Sequence, residues 1–195
     1  MARKREFDRE QVIERAMLLF WAQGYEATSI RELKAVMEIS SSSMYEVFGD
    51  KRGVFLAALA RFCEIERARI AEMAAQAPTP QQFIVQLFAS LEDIVQTQLR
   101  TYSGSLVFNT MVEFGTRDAD ITGLMLAHYL HIAEIITEVL AHAQAAGTIA
   151  SQDSPLHLAY TILSTLQGVA TVKSVKPDFA YVDAITTAAI RLLSL

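Results

Sequence analysis

Cysteine is nearly missing from this sequence. The single Cys63 cannot close an intrachain disulfide, so the fold has to stand on packing alone, as expected of a chain in a reducing compartment. Proline and glycine are also few, four and eight in 195 residues, and no low-complexity linker can be drawn from them. Although just over half of the residues are apolar, no run approaches the length of a bilayer-spanning helix, and no membrane partner is expected. The opening "MARKREFDRE" lacks the apolar core of a signal peptide, which leads to the expectation of a cytoplasmic protein. An excess of positive charge is absent as well: the net charge is −5. That balance is uneven along the chain. Residues 1–61 hold ten Lys/Arg against nine Asp/Glu, so the acidic excess lies in the remainder, and a basic arm (Arg3, Lys4, Arg5) precedes the first helix. Composition alone therefore does not decide for or against nucleic acid.

What is present is helical periodicity from one end to the other, with no strand pattern and no internal repeat. Asp8 caps a first helix carrying Val12, Ile13, Ala16, Met17 and Phe20, and Gly24 ends it. Ser29 and Glu32 form a capping box for a brief second helix that ends near Met37. Ser40 then caps a third, whose first turn is Ser41, Ser42 and Ser43 and whose buried face is Met44, Val47 and Phe48. Two short helices joined by a tight turn, the second opening with small hydroxyl residues, describe a helix-turn-helix. Small residues allow a helix to approach base edges closely, and hydroxyls can bond donors or acceptors there. An ordinary capped helix in a bundle has the same periodicity. Beyond residue 50, helices are expected at 51–75, from Thr79-Pro80 onward, at 105–114, 119–146, from Ser154-Pro155 to 175, and at 179–193. The fold class is all-α: a three-helix domain with the helix-turn-helix over residues 1–50 and a helical domain over 51–195. In the last two helices apolar or small residues cover more than one face, which suits burial against a second copy in a four-helix bundle. A fully internal hairpin is the alternative.

The string "LFWAQGYEATSIRELKAVMEISSSSMYEVFGDKRGVF" resembles the DNA-binding domain of the TetR/AcrR transcriptional regulators. Phe20, Gly24, Tyr25, Thr28-Ser29-Ile30, Ile39-Ser40, Met44-Tyr45, Phe48 and Lys51 match in identity and spacing over roughly 45 residues. The fainter likeness of "YSGSLVFNTMVEFG" and "AHAQAAGTIA" is to one subgroup, many of whose members have cysteine where Ser105 stands here. The family's turn usually has glycine at Glu38. A left-handed glutamate there costs on the order of 1 kcal/mol. The resemblance implies DNA binding by the first domain and ligand binding and dimerisation by the second: a homodimeric repressor on a palindromic operator of double-stranded DNA, released when a small molecule in the C-terminal domain moves the fourth helix.

On that reading Lys51 and Tyr45 reach phosphates, and Thr28 or Ser29 holds phosphate at a helix N-terminus. Ser40 caps the reading helix, and Ser41, Ser42 and Ser43 stand where the family reads bases. Arg31 either reaches guanine bidentately or is a solvated side chain paired with Glu38 or Glu32. The candidate ligand set is Phe62, Phe88, Phe108, Met111, Met125 and Tyr129, with Phe83, Tyr102 and Phe114 in the same aromatic group; the same pattern also describes plain core. Asn109, Glu113, His128 and Gln167 are candidate polar groups among them. The inducer is expected to be mostly apolar. No cofactor is implied, and no nucleophile elbow or phosphate-binding loop appears, so no enzyme is expected. His128, His131 and Glu134 share a helix face but lack the further donors a metal site needs. The alternative to a DNA-binding regulator is a helical small-molecule-binding or protein-interaction module that does not bind DNA.

Overall fold

A computed structural model describes residues 7–96, 104–176 and 182–192. Those residues form nine α-helices: α1 (Arg9–Gln23), α2 (Ile30–Met37), α3 (Ser41–Phe48), α4 (Lys51–Gln76), α5 (Pro80–Gln96), α6 (Leu106–Phe114), α7 (Ala119–Ala145), α8 (Pro155–Val175) and α9 (Val182–Leu192). Their ends follow local chemistry. Asp8 accepts from the N–H groups of Glu10 and Gln11, Asp50 from Gly53 and Asp118 from Asp120 and Ile121, each satisfying donors that a helix start leaves unpaired. Ser29 and Glu32 form the full capping box of α2. Residues 179–181, expected in the last helix, lie outside the described residues, as do Arg3, Lys4, Arg5 and Tyr102.

Two apolar clusters hold the molecule together. The first joins α1, α2 and α3 to the N-terminal half of α4, to α6 and to the start of α7, with Phe20, Leu33, Met37, Met44, Phe55 and Met125 almost fully enclosed. The second gathers the C-terminal half of α4, α5, the rest of α7, α8 and α9 around Phe83, Phe88, Ile136, Leu140 and Ile162. Each such side chain contributes roughly 1.5–3 kcal/mol by leaving water. The first core does not stop at residue 50. Phe114 of α6 lies 5.1 Å from the Tyr25 ring and 5.5 Å from Phe55, and Phe55 makes an edge contact of 4.8 Å with Phe20. An aromatic group thus spans the boundary that sequence places between the two domains. The long helices α4 and α7 run through both clusters.

One sequence expectation needs correcting, and another is narrowed. The 27-residue α7 does reach the length and apolarity at which a helix crosses a bilayer, with a mean hydropathy of 1.4 over an 18-residue window. It nevertheless lies in the bundle, packed along its length by Ile121, Met125, Ile132, Ile136 and Leu140. Along the middle of α8 the large apolar residues, Leu158, Ile162, Leu163 and Leu166 among them, are buried within the protomer, whereas Leu156, Val172 and Val175 toward its ends are exposed. Between those ends α8 turns Thr161, Ser164 and Gly168 outward, and α9 turns Ala184, Thr187, Ala188 and Arg191 outward. One protomer core accommodates more of the apolar pattern than its breadth suggests, because α8 packs on both α5 and α7.

Candidate nucleic-acid interface

Helix α3 is held by the enclosed Met44, with Phe48 half-buried against the same core, and its opposite face is open. Ser40 accepts from the N–H of Ser43 at 3.1 Å, and its hydroxyl lies 2.8 Å from that of Ser42 and 3.0 Å from that of Ser43. Ser41 and Ser42 are exposed, whereas Ser43 is half-buried. The serine run therefore starts the helix with one member and presents its hydroxyls with others. Tyr45, Glu46 and Val47 are exposed further along, so aromatic, acidic and apolar groups share the open face.

The turn before α3 depends on Glu38, which adopts the left-handed conformation at φ 55° and ψ 34°. Its side chain offsets part of that strain through an ion pair of 2.7 Å with Arg15. Glu38 is thus held by α1, and Arg31 is left exposed on α2 with no ion pair among the described residues. Arg31's positive charge is one of the smaller causes lowering the pKa of Glu32, after the hydrogen bonds from the Ser29 hydroxyl and the Ser29 N–H. At the start of α4, Lys51 sits 4.4 Å over the Tyr25 ring and donates to the carbonyl of Glu26 at 3.4 Å. Its stem is aligned by that contact, as expected for a partly covered cation over an aromatic face.

Thr28 and Ser29 separate. Thr28 is enclosed: its hydroxyl donates to the Gly24 carbonyl at 2.6 Å and accepts from the Gln23 side chain at 3.2 Å. Its side chain is a support for the α1–α2 turn. Ser29 is exposed, and its N–H and hydroxyl both donate to the Glu32 carboxylate, at 2.9 and 2.6 Å. A carboxylate already occupies the helix start that sequence offers to phosphate.

The residues proposed for a ligand pocket do not form one set. Phe62 packs edge-on against Trp21 at 5.1 Å and belongs with Met125 to the first cluster, which Met111 also flanks. Phe88 lies in the second, and Tyr129 stacks with Tyr160 at 6.2 Å beside it. Phe108 and Gln167 are half-buried, and Asn109 is exposed. Glu113 is committed elsewhere. Its carboxylate accepts from the N–H of Tyr25 at 3.0 Å and of Glu26 at 2.7 Å, so it fastens α6 to the turn ahead of α2. Gly24 makes room for it: at φ 80° a Cβ there would be strained and would lie 3.2 Å from the carboxylate. His128 is buried in α7 and bonded to Glu66 of α4 at 2.8 Å, while His131 and Glu134 face outward.

Sequence reasoning missed the polar contacts that fasten these helices to one another. Arg52 grips the Asp118 carboxylate at 2.6 and 2.8 Å and reaches Asp120 at 2.6 Å. Hydrogen bonds from Arg52, and then from the N–H of Ile121, hold the Asp118 carboxyl down at about 2. Trp21 donates through Nε1 to the carbonyl of Gly104 at 2.9 Å. The Arg52 contact joins α4 to the α6–α7 corner and the Trp21 contact joins α1 to the residues ahead of α6, and neither pair lies close in sequence. Burial, and secondarily the charge of Glu66, pushes the Cys63 thiol up to about 12.

Residues 12–58 match the family described as bacterial regulatory proteins, tetR family. The transcriptional repressor ComR of Escherichia coli is 26% identical over 168 residues, spanning 86% of this chain and 80% of ComR. Among solved structures, a cysteine-substituted form of the regulator CifR, complexed with 26-bp double-strand operator DNA, has a TM-score of 0.81 at 24% identity, covering 99% of this chain and 98% of that one. The reduced form of NemR from E. coli has a TM-score of 0.85 at 16% identity, over 94% of this chain and 95% of that one.

Proposed function

This chain belongs to the TetR family of DNA-binding transcriptional regulators, and from that premise we propose that it is a repressor released from a palindromic operator by a small, mostly apolar ligand. Such a protein works in the cytoplasm, where the DNA is. The observation that carries the proposal is the pairing of an open reading helix with a rigid attachment to the ligand-binding half. Helix α3 offers Ser41, Ser42 and Tyr45 to DNA, with Lys51 at the head of α4 and Arg31 on α2. Hydroxyls and Arg31 supply base contacts, and Lys51 and Tyr45 supply phosphate contacts that set register. Glu113, Arg52 and Trp21 bind this head to α6 and to the start of α7. A compound that shifts α6 or α7 therefore shifts the head with them.

A palindromic operator requires two heads, with recognition helices about 34–36 Å apart in successive major grooves. We assign the second copy to the outer faces of α8 and α9, where Ser164, Gly168, Thr187 and Ala188 would let helices approach closely in a symmetric bundle. Ligand entry changes head spacing, and operator affinity falls by the difference in ligand affinity between the two arrangements, ordinarily about 1–3 kcal/mol. Phe62, Met125, His128 and Tyr129 are the side chains assigned to that ligand. The test is a mobility-shift and run-off transcription assay on the gene's own promoter fragment, with apolar compounds added. Binding and transcript repression should both fall as a bound compound is titrated. A compound that binds tightly while operator affinity stays unchanged would overturn the sensing role, and no shift with the promoter would leave a regulator without this operator.

A further inference from the structure

The two apolar clusters meet along α4 and α7, and the meeting point is polar. On α4, Cys63 belongs to the first cluster and Ile70 to the second, with Glu66 between them. On α7, Met125 belongs to the first and Ile132 to the second, with His128 between them. Glu66 and His128 join across this seam at 2.8 Å through Nε2, with side chains only 19% and 5% exposed. The other ring nitrogen, Nδ1 of His128, is fully enclosed and has no hydrogen-bond partner. A buried polar atom in that condition is costly and calls for an explanation, a site for a hydrogen-bond donor being one.

The chemistry of the orphan follows from its partner. Arg69 stands 4.0 Å from the other oxygen of Glu66, so the His128 ring is not the only group facing that carboxylate. A charged ring would leave a buried N–H with no acceptor, the costlier arrangement. Glu66 thus accepts from a protonated Nε2 and fixes the tautomer, leaving a lone pair on Nδ1. Among the described residues no three His, Cys, Asp or Glu side chains converge, so that lone pair has no metal set around it. It can accept one hydrogen bond.

Building on the sensing role proposed above, we infer that the seam between the clusters is the polar end of the ligand site, and that it takes an apolar compound carrying one hydrogen-bond donor: a phenol, an alcohol or a ring N–H. His128 receives that donor through Nδ1, and Glu66 is the positioning residue that keeps Nδ1 unprotonated. A ligand here also touches the helix pair that carries the head, since α4 begins at Lys51 and α7 begins at the Arg52–Asp118 attachment.

The experiment uses the full-length protein at about pH 8, with matched probes that differ only in the donor: 1-naphthol and 1-methoxynaphthalene, 4-butylphenol and 4-butylanisole, indole and 1-methylindole. Calorimetry should show each donor bound about tenfold more tightly than its methylated partner, the factor a single buried acceptor supplies. Nitrogen-15 spectra of the histidine rings should show the Nδ1 resonance of His128 shifting with the donor probes alone. Glu66→Gln keeps an acceptor for Nε2 and should preserve the preference, whereas Glu66→Leu frees the tautomer and should reduce it to within about twofold. His128→Phe should abolish it. Equal binding of both members of every pair, with the His128 nitrogens unmoved, overturns the assignment and leaves the sensing role standing. Failure of every probe to bind overturns the apolar-ligand reading itself, and the assignment with it. The ring spectra of the unaltered protein and the conservative Glu66→Gln variant decide the matter even where His128→Phe does not fold.

Discussion

Replacing Glu113 tests whether the helix-turn-helix head and the C-terminal helices act as one body. Its carboxylate receives the N–H groups of Tyr25 and Glu26 at 3.0 and 2.7 Å, and the residues it joins are 88 and 87 positions apart. Hydrogen bonds to a charged acceptor are each worth about 1.5–3 kcal/mol net, the larger values applying when the donor is sheltered. Tyr25 is partly buried and Glu26 is exposed, so water replaces the carboxylate at Glu26 far more easily than at Tyr25. Glu113→Ala should therefore cost about 2–3 kcal/mol, most of it at Tyr25. Glu113→Gln keeps one neutral acceptor and should cost about 1–2 kcal/mol. Glu113→Asp is one methylene too short for both bonds and should resemble alanine. Urea unfolding gives the stability, and amide hydrogen exchange at Tyr25 and Glu26 shows whether the loss is local. In the alanine variant the ligand should also have less effect on operator affinity, because α6 has lost its hold on the head. Unchanged exchange at both amides, with a stability change no larger than that of the surface substitution Glu138→Gln, would refute the reasoning.

Other consequences are open to measurement. Lys51→Ala should weaken binding to every DNA sequence alike and lower the salt slope by about one unit, whereas Arg31→Ala should alter base preference and cost roughly 1–3 kcal/mol at the preferred site, both read by fluorescence anisotropy on operator variants. Gly168 has open space around the position of a Cβ, so Gly168→Arg should fold as a protomer yet sediment as a monomer; a dimer of unchanged affinity would move the interface off the outer face of α8. The Asp118 carboxyl is held below its ordinary value, so its contribution is fully present above about pH 4 and is lost as pH falls through about 2; Asp118→Asn keeps the helix cap and should flatten acid unfolding over that window. With its thiol pushed up to about 12, Cys63 should resist iodoacetamide at pH 8 in the folded protein and react quickly in urea.

The helices were legible because their ends are written locally. Asp8, Ser29, Ser40, Asp50 and Asp118 each cap the helix that periodicity places after them, and a cap acts within four residues. The left-handed Glu38 was legible by a different route, from the resemblance to a family whose turn usually has glycine at that position. The reading face was legible in its residue types but not in their exposure. Thr28 and Ser29 are adjacent and chemically alike, yet the turn folds one inward onto Gly24 and leaves the other outside.

Contacts between distant segments were not legible, and they are the ones that make a regulator out of a DNA-binding head. Glu113 looked like a pocket residue because it is a lone acid in an apolar helix, and the same isolation suits a group that caps another segment's backbone. Glu66 went unnoticed because α4 also carries Glu64, Arg67 and Glu72, and in a charged stretch one buried acid cannot be told from its solvated neighbours. Only the crossing of α4 with α7 selects it. Such choices rest on how helices are oriented across the core, and a one-dimensional pattern has no term for that orientation. On the proposed sensing role, the C-terminal half can change its ligand while the head stays fixed. Head residues answer to DNA and to local caps. The seam residues Glu66 and His128 answer to each other across 62 positions, so a new ligand chemistry can be accommodated there without disturbing a single cap.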